Sequence, residues 1–235
     1  MVKSYSFDGY KSNIDLSDLD EEITHVDKGS PCGEYLRRFW HPFILSKEIK
    51  ELPKLIKLLG EELVVFRDKS GKIGLLNKHC PHRGASLEYG IIADCGLICS
   101  YHGWHFDIDG SLIRAGSEPS KSPIHKRVKQ GAYPTREFEG IVFAYLGPTE
   151  KIPEFPFYDV QNDKNVKKIP FSLSAPCNWL QVYENTQDPI HVIHLHARSS
   201  GVQFGVASGV DQIIEYDDTP LGMINIQTRL VDNYV

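Results

Sequence analysis

No stretch of this 235-residue chain approaches the roughly 18 consecutive apolar residues that mark a membrane-spanning helix. Positive charge is not in excess either. Lys and Arg number 26 against 31 Asp and Glu, and the net charge of −5 removes the electrostatic footprint of a nucleic-acid binder. The first 22 residues carry Asp15, Asp18, Asp20, Glu21 and Glu22 but no apolar core run and no Arg-rich bias. They read as a polar segment rather than a secretory or transit peptide. Cysteine is scarce and odd in number: Cys32, Cys80, Cys95, Cys99 and Cys177. Five scattered thiols behind no signal peptide do not form a disulfide framework, so some are expected to be metal ligands. Internal repeats and low-complexity tracts are missing too. The expectation is a soluble cytoplasmic protein with no nucleic-acid or membrane partner.

What is present is ordinary globular composition, 41% apolar and 24% charged, with histidines in tight groups. Ser30-Pro31 has the form of an N-cap followed by proline at the first helical position, which predicts a helix running through Trp40. Leu63 to Phe66 and Ile73 to Leu76 flank the turn Asp68-Lys69-Ser70-Gly71 and predict a hairpin. A second turn, Asp107 to Gly110, precedes Leu112-Ile113, and a third, Glu139-Gly140, precedes the strand Ile141 to Leu146. Together these make an antiparallel β-domain. Prolines 148, 153 and 156 suggest a linker. Beyond it, Asn178 to Gln187 suits a helix interrupted at Pro189, and Ile213 to Leu230 returns to strands.

Cys80-Pro81-His82 and Cys99-Ser100-Tyr101-His102 give C-x-H, sixteen intervening residues, then C-x-x-H. Each half lies after a strand and holds turn formers, Pro81 and Gly84 in one and Gly103 in the other. Two loops meeting tip to tip would each offer one thiolate and one imidazole. That division suits a two-iron cluster with two Cys on one iron and two His on the other. A mononuclear Cys₂His₂ zinc site is the alternative, although zinc motifs usually pair like with like.

Here the sequence resembles the Rieske family. The residues Leu36-Arg37-Arg38-Phe39-Trp40, the run His79 to Ser86 (HCPHRGAS) and Tyr101-His102-Gly103-Trp104 are similar to phthalate-dioxygenase-type ring-hydroxylating oxygenase α subunits. The resemblance runs from about Glu22 to His196. Cytochrome-complex Rieske proteins carry two further bonded cysteines, which would fall at Ala85 and Tyr101. Their absence implies the oxygenase and ferredoxin branch, with a potential of about −150 mV. Cys95 reads as a small buried residue, His79 and His105 as packing or surface residues, Trp104 as a shield over the cluster, and Cys32 and Cys177 as structural.

Asn185-x-x-Asp188-x-x-His191-x-x-x-x-His196 resembles the mononuclear iron motif of the same oxygenases. The resemblance implies that His191 and His196 ligate Fe(II) with a distant carboxylate, leaving positions open for O₂. It also implies that Asp188 bridges His191 and His102 of an adjacent subunit, in a head-to-tail homotrimer. Helical geometry alone would not select this pair. At about 100° per residue, His191 lies about 60° from His194 but about 140° from His196. A π-bulge or a break would bring residues five apart onto one face. Asp188 before Pro189 is also a good N-cap by itself.

The implied fold is α+β, an antiparallel β Rieske domain followed by the beginning of an α/β helix-grip-like catalytic domain. The expected divisions are residues 1–22, 23–148 and 149–235. The resemblance implies a terminal oxygenase that takes electrons from an NAD(P)H-dependent reductase and hydroxylates a small aromatic substrate with O₂. A Rieske-ferredoxin-type carrier and an inactive truncated oxygenase are the alternatives. The implied carboxylate ligand belongs far downstream, whereas 39 residues follow His196. The acids among them, Asp211, Glu215, Asp217, Asp218 and Asp232, have no motif support. The chain is thus expected to be truncated in the catalytic domain. Lys121, His125, Lys126, Arg127 and Lys129 read as a solvated basic loop.

Overall fold

The structure is a computed structural model that describes residues 20–116, 118–119, 121–158, 165–199, 210–220 and 222–230. The polar segment expected at 1–22 lies outside the described residues except for its last three. The chain folds as two compact units, Met1–Leu173 and Ser174–Val235.

In the first unit, α1 (Glu21–Thr24) and α2 (Pro31–Leu36) precede β1 (Trp40–Leu45), β2 (Lys54–Leu58), β3 (Glu61–Arg67) and β4 (Ile73–Asn77). There follow β5 (Ile91–Ile92), β6 (Leu97–Ile98), β7 (Trp104–Phe106), β8 (Leu112–Ala115), the short α3 (Ile124–Arg127), β9 (Thr135–Phe138) and β10 (Ile141–Tyr145). All pair antiparallel, in sheets ordered β1-β10-β9, β2-β3-β4 and β5-β6-β7-β8. The predicted hairpin is present, with Val64 opposite Leu76 and Val65 opposite Leu75.

Strand β3 shows why its sequence is a continuous apolar run. Side chains alternate across a strand, and Leu63 and Val65 enter one core with Ile44, Leu75 and Val142. Val64 and Phe66 enter the other with Leu76, Leu97, Phe106 and both Cys80 and Cys99. Both faces are buried, so no polar alternation is possible.

The helix that opens at Pro31 is shorter than its sequence predicts. Ser30 caps it, its Oγ accepting the Gly33 N–H at 3.1 Å, but it ends at Leu36 and Trp40 already pairs with Tyr145 in β1. After Arg37 the N–H groups donate only three residues back, Arg38 to Tyr35 O at 3.0 Å and Phe39 to Leu36 O at 3.1 Å, and the chain unwinds into the strand. The Arg37 side chain turns inward, almost fully buried, and donates to the carbonyls of Val26, Gly33 and Leu59 and to the Glu61 carboxylate. The proline-rich stretch read as a linker instead packs on the first unit. Trp40 Nε1–H donates to Pro153 O at 3.1 Å. Phe155 stands edge-on to Phe143 at 4.9 Å, with the Arg136 guanidinium over its ring at 4.3 Å. The boundary between compact units therefore follows Leu173.

The second unit holds α4 (Trp179–Gln187), a π-helical stretch Val192–Ser199, and the hairpin β11 (Gln212–Thr219) with β12 (Gly222–Arg229). Asn178 caps α4 by accepting the Leu180 N–H at 3.0 Å. Mixed antiparallel sheets and helices make the protein α+β. Among the described residues no helix is long and apolar enough to cross a membrane.

Candidate metal centres

The first constellation sits on two loops of the same construction. One follows β4, the other joins β6 to β7. In each, the cysteine N–H donates to the carbonyl five residues on, Ala85 at 2.9 Å and Trp104 at 2.7 Å. In each, a glycine N–H returns to the cysteine carbonyl, Gly84 to Cys80 at 2.9 Å and Gly103 to Cys99 at 3.0 Å. Both glycines lie in the left-handed region, φ +70° and +68°, with open space where a Cβ would stand. Glycine serves here for its backbone conformation and not for room.

The four candidate ligands separate by depth. Cys80 and Cys99 are buried in the apolar core beside Phe66, Leu97 and Phe106. His82 and His102 are exposed, their rings 4.8 Å apart. Trp104, buried, stacks on His82 at 4.5 Å with planes 4° from parallel, and Tyr101 tilts over His102 at 3.8 Å. Burial pushes the Cys80 thiol up to about 11; the neighbouring Cys99 adds to this, against the backbone N–H groups of His82 and Arg83, which favour the thiolate. A thiolate pair in such surroundings needs a cation to compensate it. Two buried sulfurs behind two outward imidazoles match in kind the donors of a cluster with one thiolate-bound and one imidazole-bound iron.

Two supporting residues carry no signal in the sequence. The buried Gln130 donates through Nε2 to the carbonyls of Asn77 at 2.6 Å and His79 at 3.0 Å, holding the strand end that leads into the first loop. Asp68, also buried, accepts from Ser70 and Lys72 in its own turn and from Gly96 in the β5–β6 turn. His79 Nδ1 contacts Gly84 O at 2.9 Å and so closes the first loop. Cys95, expected to be buried, is exposed: it stands in the β5–β6 turn, its carbonyl 2.5 Å from His105 Nε2. Cys177 is exposed and Cys32 half-buried. In the basic stretch Lys121, Lys126, Arg127 and Lys129 are exposed, and His125 is half-buried.

In the second constellation, Asn185 lies on the exposed surface of α4, one turn before Asp188. Asp188 interrupts the helix in extended conformation and caps the next helical segment, its Oδ1 accepting the Ile190 N–H at 2.8 Å. The π-helical stretch then brings the rings of His191 and His196 to 5.2 Å, while His194 is exposed. His191 Nδ1 lies 2.5 Å from the Asp188 carbonyl and 3.6 Å from its carboxylate. Asp211, Glu215, Asp217 and Asp218 are exposed in or beside β11, and Asp232 lies outside the described residues.

Residues 39–132 match the family model described as the Rieske [2Fe-2S] domain. The oxygenase subunit of tert-butanol monooxygenase / tert-amyl alcohol desaturase from Aquincola tertiaricarbonis is 46% identical over 211 residues, 87% of this chain and 44% of that one. The phthalate 4,5-dioxygenase oxygenase subunit from Pseudomonas putida is 40% identical over 178 residues, 74% of this chain and 40% of that one. Among solved structures, the oxygenase of a variant oxygenase–ferredoxin complex of carbazole 1,9a-dioxygenase superposes with a TM-score of 0.58 at 33% identity, covering 70% of this chain and 43% of that one. The chain spans about half the length of the curated relatives it matches.

Proposed function

This chain belongs to the Rieske oxygenases, among their oxygenase subunits, and from that premise we propose that it is a terminal oxygenase hydroxylating a small aromatic or tertiary-alcohol substrate with O₂. Cys80 and Cys99 would hold one iron of a [2Fe–2S] cluster, and His82 and His102 the other. His191 and His196 would hold a mononuclear Fe(II). Bound there, these groups supply single-electron transfer and the reduction of O₂.

One observation carries the oxygenase reading over that of a simple electron carrier. The π-helical stretch puts His191 and His196 on one face with ring centroids 5.2 Å apart, an arrangement a carrier has no use for. The Asp188 carbonyl engages His191 Nδ1, so that nitrogen carries the hydrogen and the Nε2 lone pair is left for a metal. In this reading the Asp188 carboxylate links His191 to His102 of the next chain in a homotrimer. The electron donor is an NAD(P)H-dependent reductase or a ferredoxin.

The substrate class is drawn from what the relatives are named for, so the panel pairs aromatic acids with tertiary alcohols. The test supplies reductase, NAD(P)H and O₂ to the full-length protein and to its Asp188→Asn variant. Asparagine still caps the Ile190 N–H, and the cluster should still be reduced, while product formation falls at least tenfold. Product at the parent rate would leave Asp188 a cap and nothing more. Iron analysis separates the readings: three irons per chain for the oxygenase, two for a carrier.

A further inference from the structure

We infer that Gln212, on β11, is a positioning residue for the iron-binding histidine, through its hydrogen bond to the backbone of the Asp188–Pro189 break. This inference rests on the proposed role of His191. Between α4 and the π-helical stretch the chain loses its helical hydrogen bonds, and free carbonyls must find other partners. Gln212 Nε2 donates to Pro189 O at 3.1 Å, and Tyr216 Oη–H donates to Gln187 O at 3.4 Å. Residues 212, 214 and 216 share one face of a strand. That face, through Ile214 and Tyr216, lines a cleft of about 480 Å³ with Glu184, Gln187, Asp188 and Ile190. The two carbonyls that flank Asp188 in sequence are therefore held from one strand face.

The choice of glutamine costs the fold something. Its Oε1 is buried with no partner among the described residues, and an unpaired buried acceptor is destabilising. An apolar side chain between Asp211 and Ile213 would avoid that cost but would release Pro189 O. What the amide secures is the direction of the Asp188 carbonyl one peptide earlier, which contacts His191 Nδ1 at 2.5 Å. That contact selects the tautomer with Nε2 available to a metal. Partners of this kind typically carry a roughly 10–100-fold effect on metal affinity.

The test uses the whole chain with its cluster intact, dialysed against Fe(II) with metal analysis, counting iron above two per chain. Gln212→Met keeps length and removes the donor; Gln212→Asn keeps the amide and withdraws its reach. His191→Ala is the control for the site, and the His191 tautomer is read from its ring ¹⁵N shifts. The expected result is Fe(II) affinity about tenfold weaker in both Gln212 variants, with His191 moving toward the Nε2–H tautomer and the cluster's reduced EPR signal unchanged. If His191→Ala abolishes the extra iron while either folded Gln212 variant binds within twofold of the parent, the positioning role is overturned and the site stands. If His191→Ala binds Fe(II) as the parent does, the site itself is wrong and this inference falls with it.

Discussion

The imidazole of His82 lies flat on the indole of Trp104, 4.5 Å between centroids and 4° from parallel. The exposed half of the candidate cluster site is thereby joined to its buried half, since Trp104 belongs to the same core as Cys80 and Cys99. Trp104→Ala should lower stability by about 3–5 kcal/mol, as large-to-small changes at buried tryptophans do. It should also free the His82 ring. Denaturant unfolding reads the first effect, and the rate at which cluster colour is lost in air reads the second. A variant with parent stability and parent colour lifetime would show that the stacking is incidental.

The two loop glycines should tolerate a methyl group in space but not in backbone conformation. Gly84→Ala and Gly103→Ala should each cost roughly 1–2 kcal/mol, the left-handed penalty for an L-residue, and keep the cluster. Gly96→Ala has the same strain, and its Cβ would also stand 2.0 Å from Phe106 O. It should cost clearly more and disturb the β5–β6 turn. Equal losses at all three positions would contradict the distinction.

Arg37 and Glu61 form a pair, 2.9 Å apart, with the guanidinium 3% exposed. Tyr133 donates to the other Glu61 oxygen at 2.6 Å, and burial, then Glu61, push its phenol well above the ordinary value, so it stays a donor. Removing one partner of a buried pair is costly. Arg37→Ala should destabilise by about 3–5 kcal/mol, and in a double-mutant cycle Glu61→Gln should cost much less once Arg37 is gone. Additive losses would mean that the two act separately.

Asp68 gives the fold a defined acid dependence. Burial alone would raise its carboxyl, but hydrogen bonds from the Ser70 hydroxyl and from the backbone of Gly96, Lys72 and Ser70 outweigh this and hold it below the usual range. A depressed folded value contributes stability that is complete above about pH 3.9, the unfolded value, and is lost as pH falls through the folded one. Asp68→Asn turns an N–H donor toward other donors and should cost about 1–3 kcal/mol at neutral pH. The gap from the parent should narrow as the pH drops below about 4. Denaturant midpoints measured from neutral pH down to about pH 3 would show it, and a constant gap would refute the assignment.

The strands and turns were legible because their signals are local. Asp68-Lys69-Ser70-Gly71 and Glu139-Gly140 demand turns, and the apolar runs beside them can only be strands. The candidate ligands were legible because a C-x-H, C-x-x-H pattern has few uses. Long-range partners were not legible. Nothing beside Arg37 says that it turns inward to Glu61, and nothing marks Gln130 as the brace under Asn77 and His79. Cys95 looked like a core residue by type, yet its position in a two-strand turn decided its exposure. The pairing of His191 with His196 ran against simple helical periodicity, and it is the wider π-helical turn that brings their rings together.

The central claim is that Cys80, Cys99, His82 and His102 divide into a thiolate pair and an imidazole pair on two irons. It is tested most directly by EPR and electron spin-echo spectroscopy of the dithionite-reduced protein, with histidine labelled by ¹⁵N. The expected result is a Rieske-type signal coupled to two histidine nitrogens, one coupling lost in His102→Ala if a signal survives, and no signal in Cys80→Ser or Cys99→Ser. A colourless protein holding one zinc per chain, or a signal that persists without either cysteine, would contradict it.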